Sequence, residues 1–207
     1  MSESPMPYCV GLTGGIGCGK SKATQMFEAL GAAVVDTDEI SRALTAPGGR
    51  ALRALESAFG PDYLNADGGL DRARMRAIVF SDPQAKRQLE AILHPLIRAE
   101  SRSRIAAASG SYVLVVVPLL LETGAYADLV SRVLVVDCDE QQQIARTMAR
   151  SGLGEGEVRS IMKAQLARRE RLQRADDVLH NDGDIEALRT QVQALHQRYL
   201  ALAHATR

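Results

Sequence analysis

The sequence predicts a three-layer α/β fold built around a mostly parallel sheet, and three observations carry that prediction. Short apolar runs recur at Tyr8 to Leu12, Ala33 to Val35, Val113 to Val117 and Val133 to Val136. Each is continuous rather than alternating, as in strands covered on both faces. Segments of helical spacing separate these runs, the βαβ pattern that feeds parallel strands. A loop carrying Gly14, Gly15, Gly17 and Gly19 joins the first run to the first helical segment.

Taken in order, the strand at Tyr8 to Leu12 is followed by Lys20 to Leu30, where Ala23, Met26, Phe27 and Leu30 fall at helical spacing. The stretch from Pro47 to about Ser109 breaks the strand–helix alternation. It holds helical patterns and turn signals such as "FGPDYLNADGG" without a strand, and reads as a helical insertion. Within it Pro95 has no N–H to donate, so the helix containing Leu89, Ile92 and Leu93 is expected to kink or restart near His94. The final helix, from about Asp184, places Ile185, Leu188, Val192, Leu195 and Tyr199 on one stripe.

Composition narrows the functional classes. A chain of 207 residues can bury a full core, and its apolar residues fit one unit with an inserted subdomain. Lys plus Arg equal Asp plus Glu at 25 each, so no net charge is available to hold a nucleic acid or an anionic membrane, and any anion must be bound locally. The three cysteines, Cys9, Cys18 and Cys138, have no Cys-x-x-Cys spacing, which indicates neither a disulfide framework nor a zinc site and fits a reducing cytoplasm. No apolar span of membrane length occurs, and "MSESPMP" lacks the regions of a signal peptide and is expected to fray.

Gly14, Gly19, Lys20 and Ser21 satisfy G-x-x-x-x-G-K-[ST] in its required context, after a strand and before a helix. The chemistry explains each residue. Glycines let amide N–H groups converge on phosphates without a side chain in the way, and the free amides of the helix that follows add positive potential. Lys20 can span the outer phosphates of a nucleoside triphosphate, and the Ser21 hydroxyl is a hard oxygen suited to Mg²⁺. No NKxD or LSGGQ stretch is present, which argues against GTPases and transporter ATPases and favours a small-molecule kinase. Such a kinase needs an acceptor for a substrate hydroxyl proton, and "VVDTDEI" places Asp36 and Asp38 at the end of the second strand. From spacing alone, Asp38 reads equally as that base or as the cap of the next helix.

Six stretches, "GLTGGIGCGKS", "VVDTDEISRAL", "HPLI", "VVVPLLLE", "RTMAR" and "ADDVLHNDG", occur in this order from Gly11 to Gly183. Together they resemble the dephospho-coenzyme A kinase family. The glycine loop is generic to a superfamily, whereas the others are far more selective. The resemblance implies a three-layer P-loop kinase fold with a parallel five-stranded sheet, a helical CoA-binding insertion and a lid. It divides residues 8–207 into a core (8–46, 110–140, 176–207), an insertion (47–109) and a lid (141–175). The implied reaction moves the γ-phosphoryl of ATP, with Mg²⁺, to the ribose 3′-hydroxyl of dephospho-CoA, the last step of coenzyme A synthesis. No nucleic acid, membrane or obligate protein partner is implied.

The same resemblance implies the site residues. Asp38 becomes the general base, with Lys20 and Arg146 as its catalytic companions, while Asp36, one residue-pair earlier, points elsewhere. ATP contacts fall on Gly14, Gly15, Ile16, Gly17, Cys18, Gly19, Lys20, Ser21, Lys22, Arg146 and Asn181. Dephospho-CoA contacts fall on Asp38, Arg72, Arg76 and His94, the last readable also as a packing histidine. Cys18 stands where the family has serine, and Lys22 where threonine is common. A thiol beside a helix N-terminus is expected to have a depressed pKa, so Cys18 is expected to alkylate readily and to be shielded by ATP.

Between Arg146 and Arg174 eight cations face three acids, and "SGLGEGE" supplies a flexible joint between two helices. Closing over the phosphates, such a lid excludes water and aims arginines at the transferring group. Arg146 is the expected phosphate ligand, with Arg150 and Arg168 as weaker candidates. Asp137, ending "VLVVD", imitates a metal-binding aspartate but is expected to cap the helix carrying Arg146. Glu122 reads either as a contact to metal or substrate or as a structural residue.

Overall fold

The computed structural model describes residues 6–206. The expected fraying of "MSESPMP" falls mostly on residues 1–5, which lie outside the described residues. In chain order the first elements are β1 (Cys9–Gly14), α1 (Lys20–Ala29), β2 (Ala33–Asp36), α2 (Thr37–Thr45), α3 (Leu52–Phe59), a 3₁₀ turn (Pro61–Tyr63), α4 (Arg72–Ser81) and α5 (Pro83–Ala106). There follow β3 (Val113–Val116), α6 (Leu120–Thr123), β4 (Arg132–Asp137), α7 (Glu140–Ser151), α8 (Glu155–Ala164), α9 (Arg168–Gln173), β5 (Asp177–His180) and α10 (Ile185–Ala205). Two compact units emerge, one comprising the chain up to Val35 and from Ile105 onward, the other Asp36–Arg104.

The first unit is a five-stranded parallel sheet in the order β2-β3-β1-β4-β5. Its centre is β1, where Leu12 lies beside Val116 of β3 on one side and Leu134 of β4 on the other. All six positions of β1 are buried because both faces are covered. Alternate side chains take opposite faces: Val10 and Leu12 join Phe27 of α1 and Leu188, Val192 and Tyr199 of α10 in one core cluster. Gly11 faces the other way, where an added Cβ would meet Leu120 of α6 and Val130. Helix, sheet and helix therefore form the three layers. From β1 the chain runs to an edge strand, returns to β3 and then crosses to β4, so the glycine loop leaves the sheet where strand order reverses. That crevice is where open α/β sheets bind ligands.

β5 shows why a pattern search finds only four strands. It reads Asp-Val-Leu-His, and its first residue is a buried carboxylate held by tertiary partners. Asp177 accepts from Arg132 Nε at 2.5 Å, Arg198 Nη1 at 2.6 Å and the Tyr199 hydroxyl at 3.1 Å, tying β5 to β4 and α10. Burial and the neighbouring carboxylate push the Tyr199 hydroxyl pKa well up, so it stays a neutral donor. Replacing Asp177 with alanine leaves a half-buried guanidinium without its carboxylate. We expect it to cost about 2–3 kcal/mol, below the usual range for a buried pair because both arginines reach solvent. Chemical denaturation measures this, and a change within about 0.5 kcal/mol would mean that the network contributes nothing.

The second unit is helical. Asp36 caps α2, its carboxylate accepting from the amides of Asp38 at 2.8 Å and Glu39 at 3.3 Å. Asp71 caps α4 through the Arg74 amide at 2.9 Å. Because the unit begins at Asp36, it takes in α2, which the expected boundary at residue 47 left with the core. Helix α5 runs 24 residues through Pro95, so the restart expected near His94 does not occur. Ala91, whose carbonyl loses its bond to the missing proline N–H, is exposed together with Pro95, and solvent can take that bond.

Candidate active site

The glycine loop after β1 is built by close approach. Gly17 and Gly19 hold φ angles of 75° and 92°, in the left-handed region. A Cβ on Gly19 would lie 2.3 Å from Asn181 Nδ2, and one on Gly17 would lie 2.5 Å from the Gln143 carbonyl oxygen. The loop is braced by two residues from outside it and by one bond of its own. Asn181 Nδ2 donates to the Cys18 carbonyl at 2.7 Å, the Ile16 amide donates to Gln165 Oε1 at 3.1 Å, and the Cys18 amide returns to the Gly15 carbonyl at 3.3 Å. Lys20 Nζ donates to the carbonyls of Gly14 and Gly15 at 2.7 and 3.0 Å, lying along the loop's inner edge.

Helix α1 starts at Gly19 without a side-chain cap and has no acid in its first turn. Its positive end thus meets no capping side chain and no acid of its own first turn, which suits an anion. Ser21 and Lys22 are exposed there. Among the described residues no three His, Cys, Asp or Glu side chains gather into a metal cage. A hydroxyl such as that of Ser21 suits Mg²⁺, which takes few protein ligands and fills its sphere with phosphate and water oxygens.

Helix α7 passes along the loop. Asp139, rather than Asp137, caps it by accepting from the Gln142 amide at 2.8 Å. This corrects the expected cap: Asp137 is the last residue of β4, and its side chain is committed elsewhere. It accepts a bidentate pair from Arg168 at 2.8 and 2.7 Å while only 1 % exposed. That carboxylate holds the Arg168 pKa well above its usual value, so Arg168 is a fixed cation tied to the sheet. β4 is also a direct neighbour of β1, opposite β3.

Gln143, Ile144 and Thr147 form the buried face of α7. A Cβ on Gly17 would fall 2.7 Å from Thr147 Oγ1. Arg146, on the same helix, has its Nη1 buried and without a hydrogen-bond partner, and so has the Thr147 hydroxyl. A desolvated cationic donor with nothing to bond is costly unless a ligand meets it. Arg150 is exposed at the end of the helix. A cavity of about 290 Å³ opens between α7, α8 and α9, lined by Gln143, Lys163, Gln165, Arg168 and Arg171 among others.

Three of these residues escaped the sequence reading. Gln165 holds the Ile16 amide, and buried Arg171 donates to the Leu166 carbonyl at 2.7 Å. A Cβ on Gly15 would lie 3.0 Å from Arg171 Nη1 and 2.5 Å from Gln143 Oε1, which places both at the loop. A signal existed for Gln143: it shares the inward stripe of α7 with Ile144 and Thr147. Glu122 takes a structural part, its Oε1 accepting from the Leu166 amide at 2.9 Å.

Cys18 departs from expectation. Its side chain is fully buried, with Sγ 3.4 Å from Cys138 Sγ, so ready alkylation from solvent does not follow. The thiol is held below the usual range, chiefly by the hydrogen bond from Cys138, with Lys20 adding to the effect and burial opposing it.

The residues expected to meet the second substrate lie in the helical unit. Capping of α2 belongs to Asp36, and Asp38 is exposed in the first turn of that helix. Arg72 donates to Thr45 Oγ1 at 2.7 Å beside a cavity of about 470 Å³ lined also by Arg42, Asn65 and Asp67. Arg76 is exposed one turn further along α4, and His94 is exposed on α5 rather than packed in a core.

A family model described as dephospho-CoA kinase matches residues 8–187. The dephospho-CoA kinase of Nitrosospira multiformis is 56% identical over 197 residues, spanning 95% of this chain and 98% of its own. That of Thiobacillus denitrificans is 57% identical over 196 residues, spanning 95% and 97%. Among solved structures, dephospho-CoA kinase from Campylobacter jejuni aligns with a TM-score of 0.69 at 25% identity, covering 96% of this chain and 98% of that one.

Proposed function

This chain belongs to the dephospho-CoA kinase family, which carries out the final step of coenzyme A synthesis by ATP-dependent phosphorylation of dephospho-CoA, and we propose from that premise how its residues perform the transfer. The acceptor is the ribose 3′-hydroxyl. The observation that carries the reading is the loop itself: glycine turns at positive φ, an uncapped helix end and the Lys20 ammonium lie together at the sheet's reversal point. The triphosphate lies along the loop amides, and Lys20 exchanges the loop carbonyls for the outer phosphates. Gly14, Gly15, Gly17, Cys18 and Gly19 act through their backbone. Asn181, whose amide braces Cys18, offers its remaining polar groups to the adenine edge.

The buried Nη1 of Arg146 supplies the donor that meets the transferring phosphoryl. Asp38 accepts the proton of the ribose hydroxyl as the new bond forms. The family's Asp-x-Asp pattern supports that role, as does the finding that capping falls to Asp36. Arg72, Arg76 and His94 hold the phosphates and adenine of dephospho-CoA. Ser21 would hold Mg²⁺ through its hydroxyl, and the ion would supply charge neutralisation to the phosphates. The cysteine count and spacing support a cytoplasmic location, and no described helix is long and apolar enough to cross a membrane.

The test is ATP consumption with dephospho-CoA against a panel of nucleoside monophosphates. Dephospho-CoA is expected to exceed every competitor by roughly 100-fold in kcat/KM or more, since a site built for its polar groups leaves them unpaired with anything else. Equal turnover of any monophosphate would overturn the acceptor assignment.

A further inference from the structure

We propose that Cys18 and Cys138 are an oxidation site in which a small hydroperoxide converts the two thiols into a disulfide that disables the phosphate-binding loop, reversibly. The proposal rests on reading that loop as the nucleotide site.

The geometry comes first. Cys18 lies inside the loop, between Gly17 and Gly19, and Cys138 directly follows β4, one residue before the cap of α7. Both side chains are fully buried, and their sulfurs are 3.4 Å apart with Cys138 donating to Cys18. That polarity makes Cys18 the nucleophile of the pair. Cys9, the remaining cysteine, is a built-in contrast. Its thiol donates to the Pro7 carbonyl at 3.2 Å, and burial raises its pKa to about 11.

The chemistry balances with one peroxide. The Cys18 thiolate attacks a peroxide oxygen, the O–O bond breaks, and the departing hydroxide takes up the thiol proton as water, leaving a sulfenic acid. The Cys138 sulfur then attacks the Cys18 sulfur, the S–O bond breaks, and hydroxide leaves with the Cys138 proton as a second water. Two thiols and one hydrogen peroxide give one disulfide and two waters, and an added dithiol reverses the change by exchange.

The consequence follows from distance. A disulfide needs its sulfurs about 2.05 Å apart, so closing a 3.4 Å gap draws Cys18 toward the end of β4. The glycines on either side let the backbone follow, because neither carries a side chain to resist. Moving Cys18 turns the peptide planes that present amides to phosphate and strains the Asn181 bond to its carbonyl. Because neither sulfur is exposed, the reagent must be small and the loop must open to admit it. Bound ATP therefore slows the reaction.

The experiment uses the full chain. ATP binding by the untreated protein is measured first, and its absence would sink the loop reading while leaving the thiol chemistry to be tested separately. After hydrogen peroxide treatment, peptide mass mapping is expected to join Cys18 to Cys138 and leave Cys9 free. Kinase activity should fall roughly tenfold or more and return with dithiothreitol. Cys138→Ala, which lies outside the binding machinery, should keep its basal activity, form no disulfide and lose activity at least roughly tenfold more slowly. Three results would overturn the proposal: activity lost with both thiols unpaired, a disulfide formed with activity intact, or the variant inactivated as fast as the parent. Should Cys138→Ala fold poorly, the mapping of the unaltered chain still decides.

Discussion

Asp38→Asn is expected to lower kcat for phosphoryl transfer by roughly 10²–10⁴, the range contributed by a positioned general base, while KM for ATP changes little. Asparagine keeps the size of the side chain and its place in the first turn of α2, but its amide cannot take up a proton. The structure removes the main confounder. Helix α2 is capped by Asp36, which accepts from the amides of Asp38 and Glu39, so the substitution leaves the cap intact. Single-turnover kinetics with dephospho-CoA and ATP measure the chemical step directly. An unchanged rate would show that the proton goes elsewhere, and would do so without touching the fold.

Arg146→Ala should be the more damaging change to catalysis, with kcat/KM falling by roughly 10³ or more, as when an arginine is taken from a transferring phosphoryl group. Its sign on stability is what makes the experiment discriminating. Nη1 of Arg146 is buried without a partner, so in the free protein the guanidinium carries a desolvation cost that alanine lacks. The variant should unfold at the same or higher denaturant concentration than the parent. A structural arginine would behave the other way, losing stability along with activity. Arg168 supplies that contrast within the same basic stretch, because its guanidinium satisfies the buried Asp137 carboxylate. If Arg146→Ala destabilises the protein and spares the rate, the phosphate role is lost.

The loop was legible in the sequence because its chemistry is local: Gly14, Gly19, Lys20 and Ser21 stand within eight residues, and their spacing alone specifies amides facing an anion. Strands β1 to β4 were legible because continuous apolar runs imply two covered faces. β5 was not, since its anchor is a carboxylate satisfied by Arg132, Arg198 and Tyr199, partners as far as 45 residues away. The cap of α7 was misplaced by two residues because Asp137 and Asp139 are alike in sequence, and only the path of β4 decides which reaches the helix amides. Gln165 escaped for the same reason as the burial of Cys18. Its partner, the Ile16 amide, is 149 residues distant, and no spacing rule connects the two. The arginines between Arg146 and Arg174 were visible as a group but not as individuals, because charge density cannot tell Arg168, bound to Asp137, from Arg146, left unbonded at Nη1.

The two ends of α8 differ in mechanical character. At its far end Gln165 is tied to the Ile16 amide, Leu166 to Glu122 and Arg171, and Arg168 to Asp137. At its near end the bonds of residues 152–154 run to Met148, Ser151, Glu157 and Val158 close by, around a Gly152 at φ 70°. Lifting the far end would rupture bonds to three separate parts of the sheet unit, whereas the near end can reorient at the expense of a few neighbourly ones. The helix is hung like a door with its hinge pins at the Gln165 end, and any swing it makes keeps Gln165 and Arg171 in place while its opposite tip travels.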